Sequence, residues 1–216
     1  MEIYQCQEIK CFKKYSTLKV FILQDVRSNL LKELEKIDTE ERQKGLPVKV
    51  RMRNITPDVG QFLNILVKAI KAKTVLEIGT SNGYSTIWLG IATEENKGEL
   101  ITLEIDPRKV VMAKENLTKA NLLNTVKIIE GDVKKNIKKI NKEFDFVFID
   151  AEKEDYIEFF NLILPKVKIG GVIIADNVLS HADILRNYID HVRSHPQTKS
   201  ILIPIGRGEE LTIKIK

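Results

Sequence analysis

The stretch Val75-Leu76-Glu77-Ile78-Gly79-Thr80-Ser81-Asn82-Gly83-Tyr84-Ser85 decides the fold. It begins as a short apolar run, the pattern of a strand buried on both faces of a parallel sheet. Gly79 lets the backbone turn tightly and approach a ligand, and Gly83 relaxes the entry into a helix that starts at Tyr84. The spacing is G-x-x-x-G. It is neither the G-x-G-x-x-G of dinucleotide sites nor a phosphate loop, because no Lys-Ser/Thr pair follows. The turn therefore suits a nucleotide-like ligand held by something other than a phosphate. Alone, it would also serve as an ordinary strand–helix connection.

The same alternation continues downstream. Further short apolar runs at Leu100–Ile105, Val126–Ile129, Phe144–Ile149 and Gly171–Ala175 predict strands. Helices fit between them at Tyr84–Ile91, Pro107–Ala120, Val133–Ile140 and Asp155–Leu164, and another follows at Ala182–His195. Right-handed crossovers then give a doubly wound sheet. The chain closes with strands Ser200–Ile205 and Glu210–Ile215, joined by Gly206-Arg207-Gly208, which reads as a hairpin. Upstream, Ser16 or Thr17 can cap a helix running to about Lys44, ended by Gly45 and Pro47. Thr56-Pro57 caps a second helix carrying Val59, Phe62, Leu63, Leu66, Val67 and Ile70. The expected organisation is one domain over 1–216, with a helical extension at 1–55 and a core at 56–216.

Composition sets the outer limits. The chain has 216 residues, 43% hydrophobic, and a net charge of +5. That is enough to bury a sizeable core, under a Lys-rich surface that favours anionic partners. Two cysteines, Cys6 and Cys11, are too few for a disulfide scaffold and lie far in sequence from His181, His191 and His195. They read as incidental thiols. No leader-like or membrane-spanning apolar run is present, so the expected location is the cytoplasm. The amphipathic N-terminal helices predict a homodimer.

The second strand ends in Leu103-Glu104-Ile105-Asp106. An acid there can accept hydrogen bonds from both hydroxyls of a ribose. Either Glu104 or Asp106 could serve, but Asp106 is well placed to cap the helix at Pro107, which favours Glu104. After the third strand, Gly131-Asp132 places Asp132 either beside a base or as another helix cap. Asp150, at the end of the fourth strand, and Asp176-Asn177, at the end of the fifth, would lie side by side across adjacent parallel strands. Two carboxylates and an amide oxygen suit Mg²⁺ or Ca²⁺. Polar residues after strands are otherwise commonplace, so the pairing carries the weight rather than either aspartate.

From about Lys49 onward the chain resembles the catechol and caffeoyl-CoA O-methyltransferases, a cation-dependent group of class I methyltransferases. The matching stretches are Val75–Ser85, Thr102–Pro107, Gly131-Asp132, Phe144–Tyr156 and Gly170–Leu179. The resemblance implies a Rossmann-like α/β fold with a seven-stranded, mostly parallel sheet and an antiparallel C-terminal hairpin. It implies S-adenosylmethionine as cofactor. Glu77, Gly79 and Ser85 would meet its methionine part, with Thr80, Ser81 and Gly83 completing the turn. Glu104 would bind the ribose, and Gly131, Asp132 and Val133 the adenine, with Asp150 also facing the cofactor. Asp150, Asp176 and Asn177 would be metal ligands, and Lys153 the general base or a stabiliser of the oxyanion. The acceptor would be a small molecule whose hydroxyl neighbours a second oxygen; the runner-up is a hydroxylated uridine of tRNA, or an RNA-binding module on this fold.

Two features depart from the group. Many relatives have tryptophan and glycine after the Asp-Asn pair, where this chain has Val178-Leu179-Ser180-His181. Many have an acid between the two hairpin glycines, where this chain has Arg207, a cation that favours an anionic acceptor if it faces the mouth. The single tryptophan, Trp88, is expected in the core or beside the adenine.

Overall fold

The computed structural model describes residues 2–216, with side chains from residue 22 onward. Its helices are α1 (Glu2–Gln43), α2 (Pro57–Ala69), α3 (Tyr84–Glu95), α4 (Pro107–Lys119), α5 (Val133–Lys139), α6 (Tyr156–Ile163) and α7 (Ala182–Ser194). Its strands are β1 (Thr74–Ile78), β2 (Glu99–Glu104), β3 (Val126–Glu130), β4 (Phe144–Ile149), β5 (Val167–Ala175), β6 (Thr198–Ile203) and β7 (Glu209–Lys214). They form one seven-stranded sheet in the order β3-β2-β1-β4-β5-β7-β6. The first five strands are parallel, and β7 pairs antiparallel with both β5 and β6. The expected sheet and its terminal hairpin are therefore present.

The period of two along each strand divides the core into two layers. Val75, Phe146, Phe148, Val172 and Ile174 join the layer with Leu63 and Val67 of α2 and Ile87 and Leu89 of α3. Leu76, Ile78, Val147, Ile149 and Ile173 face the other way, onto Phe160 and Ile163 of α6 and Leu185 of α7. Both faces of the central strands are buried, which is why they read as apolar runs. Trp88 packs in the first layer, against Gly60, where an added Cβ would come within 2.4 Å of the indole. It is a core residue.

Several boundaries differ from expectation. Helix α1 starts at Glu2, so neither Ser16 nor Thr17 caps it. The side chains of Cys6 and Cys11 lie outside the described residues. Thr56 does precede α2, but its hydroxyl donates to the Asp58 carboxylate rather than capping the helix. Strand β2 stops at Glu104, leaving Ile105 outside the sheet and 66% exposed. Strand β5 begins four positions before Gly171, where the register with β4 shifts between Phe144 and Phe146. The hairpin lies slightly upstream of its expected place, so that Glu209 opens β7.

Helix α1 is fastened to the sheet layers by polar contacts. The buried Arg27 donates Nε–H to the Ala120 carbonyl (2.8 Å) and pairs through Nη1 with Glu94 (2.7 Å). Tyr84 donates its hydroxyl to Glu35 (2.7 Å). Among the described residues, no helix is long and apolar enough to cross a membrane.

Candidate active site

In this strand order β1 leads to β2 on one side, while β4 lies on the other. The crevice at their carboxyl ends is where open α/β sheets bind ligands. Gly79 has φ 101°, and a Cβ there would come within 2.0 Å of the Asp150 carbonyl oxygen. Only glycine lets β1 turn this close to the end of β4. The turn is tied by Gly79 N–H to the Leu103 carbonyl (3.0 Å) and Gly83 N–H to the Thr80 carbonyl (2.9 Å).

Glu104 is held at the rim by backbone donors. Its Oε2 accepts from Ser81 N (2.7 Å), and its Oε1 accepts from Ile105 N (2.8 Å) and Asp106 N (2.9 Å). A carboxylate has acceptor capacity beyond those three bonds. Asp106 instead caps α4, accepting from Arg108 N at 2.9 Å. Its contacts with Arg108 hold the carboxyl down to about 2. The cap expected of Asp106 is present.

Across the crevice, the parallel ladder continues past the strand ends: Asp150 N donates to Ile78 O (2.9 Å) and Asp176 N to Ile149 O (3.0 Å). Asp150 Oδ1 accepts from Lys153 Nζ (2.9 Å) and Asn177 Nδ2 (3.2 Å). Lys153 is buried, also donates to the Ala151 carbonyl (2.8 Å), and lies 5.2 Å from the Tyr156 ring centroid. Asn177 has φ 73°, a left-handed conformation that asparagine tolerates and that often marks functional loops.

Asp176 is buried and accepts from Asn177 N at 2.6 Å. Burial first, then the charge of Asp150, raises its carboxyl above the ordinary range. Against it lies Glu209, fully buried, with no donor on either oxygen. Burial first, then the charge of Asp176, raises the Glu209 carboxyl above the ordinary range. Sequence reasoning missed Glu209, which falls between the expected link Gly206-Arg207-Gly208 and the strand expected from Glu210. Buried, undercompensated carboxylates are costly, and an all-oxygen set of this kind accommodates a hard cation. Among the described residues no group of three His, Cys, Asp or Glu side chains is placed to hold a metal ion, so any cation here would also draw on a neutral oxygen such as the Asn177 amide.

One cavity of about 470 Å³ joins the two sides. Gly79, Ser81, Glu104 and Val133 line it toward the turn, and Asp150, Lys153 and Asn177 line it across the crevice. Ile105 adds an exposed apolar wall that the reading as a strand residue had hidden. His181 and Arg207 also face the cavity. The remaining expected contacts do not line it. Glu77 is fully buried and accepts from Ser85, Thr86 and Thr102 hydroxyls, each at 2.6 Å. Thr80 is buried with its hydroxyl on Thr102 (2.6 Å). Asp132 caps α5, accepting from Lys135 N (3.1 Å), and Gly131 forms the preceding turn with φ 113°. These residues, with Gly83 and Ser85, shape the connections after β1 and β3 rather than the cavity surface.

A strap between α1 and α2 roofs the cavity with Lys49, Arg51 and Arg53. It is pinned by Met52 N to Glu41 (2.6 Å), Ser81 Oγ to Met52 O (3.0 Å) and Lys109 Nζ to Arg51 O (2.7 Å). Its cations were not recognised, although they recur at alternate positions in Lys49-Val50-Arg51-Met52-Arg53.

The sheet order, the glycine turn and the acidic strand ends define a class I methyltransferase fold. An O-methyltransferase from Bacillus cereus, solved in complex with SAH, superposes with a TM-score of 0.74 at 26% identity, over 86% of this chain and 90% of that one. The chain belongs to the O-methyltransferase family, whose pattern matches residues 24–210. It is 39% identical over 136 residues to a catechol O-methyltransferase of Niastella koreensis, covering 61% of each. It is 30% identical over 183 residues to caffeoyl-CoA O-methyltransferase 2 of Populus trichocarpa, covering 74% of each. The matched region thus spans less than two thirds of the first relative's length.

Proposed function

We propose that the protein transfers the methyl group of S-adenosylmethionine to a hydroxyl that neighbours a second oxygen on a small molecule, with a divalent cation held by Asp150, Asp176 and Asn177. The observation that supports this most is that one cavity contains both Glu104 and the Asp150–Lys153–Asn177 cluster. Glu104, fixed by three backbone N–H groups, accepts the ribose hydroxyls. Ile105 and Val133 flank the adenine, and Gly79 leaves room for the methionine part beside Asp150. A divalent cation held by these residues would supply Lewis acidity, lowering the pKa of the acceptor hydroxyl. Lys153, held as an ammonium by Asp150 (2.9 Å) and the Ala151 carbonyl (2.8 Å), steadies the developing oxyanion, and acts as general base only after giving up a proton of its own. The pocket contributes approach geometry for an in-line attack of oxygen on the sulfonium methyl, and the excluded water strengthens its electrostatics.

The test is transfer of tritiated methyl from S-adenosylmethionine to a panel of catechols and to bulk tRNA, with Mg²⁺ and with chelator. The expected result is Mg²⁺-stimulated labelling of a catechol, abolished in Asp150→Ala and Asp176→Ala. Undiminished labelling in excess chelator would make both aspartates structural. Labelling of tRNA alone would move the acceptor to RNA.

A further inference from the structure

Cations outnumber carboxylates two to one on the cavity wall. Half of these cations are already paired. Arg42 holds Asp38 (2.6 Å), Arg53 meets Glu152 (3.3 Å), Arg108 holds Asp106 (2.6 Å) and Lys153 holds Asp150 (2.9 Å). Lys109 is used on the Arg51 carbonyl (2.7 Å). Among the described residues, Lys49, Arg51 and Arg207 are left with neither a carboxylate nor a carbonyl partner for their charged groups. Arg51 goes further: its Nε is buried and finds no acceptor. The guanidinium of Arg51 thus keeps donor capacity that the protein does not use, on a residue that lines the cavity.

The three cations come from two fixed segments. Lys49 and Arg51 belong to the strap over the cofactor turn. Arg207 belongs to the β6–β7 link, and its carbonyl accepts from Leu179 N (3.0 Å) and Ser180 N (3.1 Å). Gly208 N–H closes that link onto Ile205 O (2.8 Å), and its own carbonyl accepts from Val178 N (2.9 Å). The link is thereby tied to the loop that carries Asp176 and Asn177. A ligand whose reacting end lies at Asp150, Lys153 and Asn177 meets Arg207 near that end and the strap above it.

We propose that the acceptor carries an anionic group, a carboxylate or a phosphate-type oxyanion, held by Lys49, Arg51 and Arg207. The inference rests on the methyltransferase reading for the position of the reacting end. Guanidinium and ammonium groups hold such oxyanions by charge-assisted hydrogen bonds, with arginine favouring two-point contact. The carboxylate of S-adenosylmethionine is the competing occupant, and it is separable by measuring each ligand alone.

The experiment compares 3,4-dihydroxybenzoate, 3,4-dihydroxybenzylphosphonate, neutral catechol and cationic dopamine. Both kcat/KM and calorimetric affinity are measured, the latter in the presence of SAH, so that binding is read even without turnover. The anionic catechols are expected to exceed catechol by about tenfold at low salt, with dopamine weakest and the spread narrowing at high salt. Carboxylate above phosphonate, or the reverse, identifies which oxyanion fits. Lys49→Ala and Arg207→Ala should each shrink the anionic-to-neutral affinity ratio by several-fold, and Arg207→Glu should invert it. An unchanged ratio in all three variants would overturn the proposal. So would a loss of SAH affinity with no change in that ratio, which would give these cations to the cofactor. Salt-steep tRNA binding that disappears in the same variants, with no discrimination among catechols, would overturn it in favour of RNA. Anion-selective binding without methyl transfer to any acceptor would sink the enzymatic reading and leave this one standing.

Discussion

Glu77→Gln should stabilise the protein at alkaline pH and leave it nearly unchanged at acid pH. Glu77 is fully buried beneath the cofactor turn, and burial raises its carboxyl from 4.5 to about 7 despite three hydroxyl donors. The unfolded chain releases this proton near the ordinary value, while the folded chain keeps it up to about 7. Between those limits the native state binds more protons, so stability falls as pH rises through the window. A shift of that size corresponds to roughly 3 kcal/mol lost between pH 4.5 and pH 8.5, at ~1.4 kcal/mol per pH unit. Glutamine keeps the shape and carries no charge. Its amide can donate to the hydroxyls of Ser85, Thr86 or Thr102, which can each rotate to accept. At pH 4.5 the variant should lie within about 1 kcal/mol of the parent, the worth of one ordinary hydrogen bond. By pH 8.5 it should have gained about 2–3 kcal/mol relative to it. Urea unfolding of both proteins, followed by circular dichroism across this range, gives the difference directly. A difference that stays constant with pH would refute the reasoning, because it would mean that the three hydroxyls hold Glu77 ionised throughout.

Other outcomes follow from single side chains. Lys153→Arg keeps the charge beside Asp150 but cannot accept a proton near neutrality; general-base action predicts a loss of kcat of about 10²-fold or more, whereas retained activity would assign the lysine to charge stabilisation. Gly79→Ala adds a Cβ within 2.0 Å of the Asp150 carbonyl at φ 101°, so SAH affinity by calorimetry should collapse even in a fraction that still folds; unchanged affinity would show that the turn yields. Asp106→Ala should cost about 1 kcal/mol of stability through the lost cap, while Glu104→Ala should weaken SAH binding by about tenfold or more; the reverse pattern in melting and calorimetry would exchange their roles.

The alternation of short apolar runs with capped helices was enough to read the sheet, because each central strand is buried on both faces and each crossover returns the chain the same way. Asp106 and Asp132 could be weighed as caps for the same reason: a cap acts on residues two or three positions away, within one local pattern. What escaped was non-local. Glu209 matters because it lies against Asp176, and nothing in the string Gly208-Glu209-Glu210 distinguishes the acid that faces Asp176 from the one that pairs with Arg193 at 2.8 Å. A one-residue change in where β7 begins exchanges their faces. Arg51 escaped for a related reason. Its alternation with Lys49 and Arg53 is visible, but a charged loop is ordinarily solvated, and only the fold brings that loop over the cofactor turn. Charge in this protein acquires meaning from partners that are distant in sequence, and the most informative cations are those for which the folded chain supplies no partner.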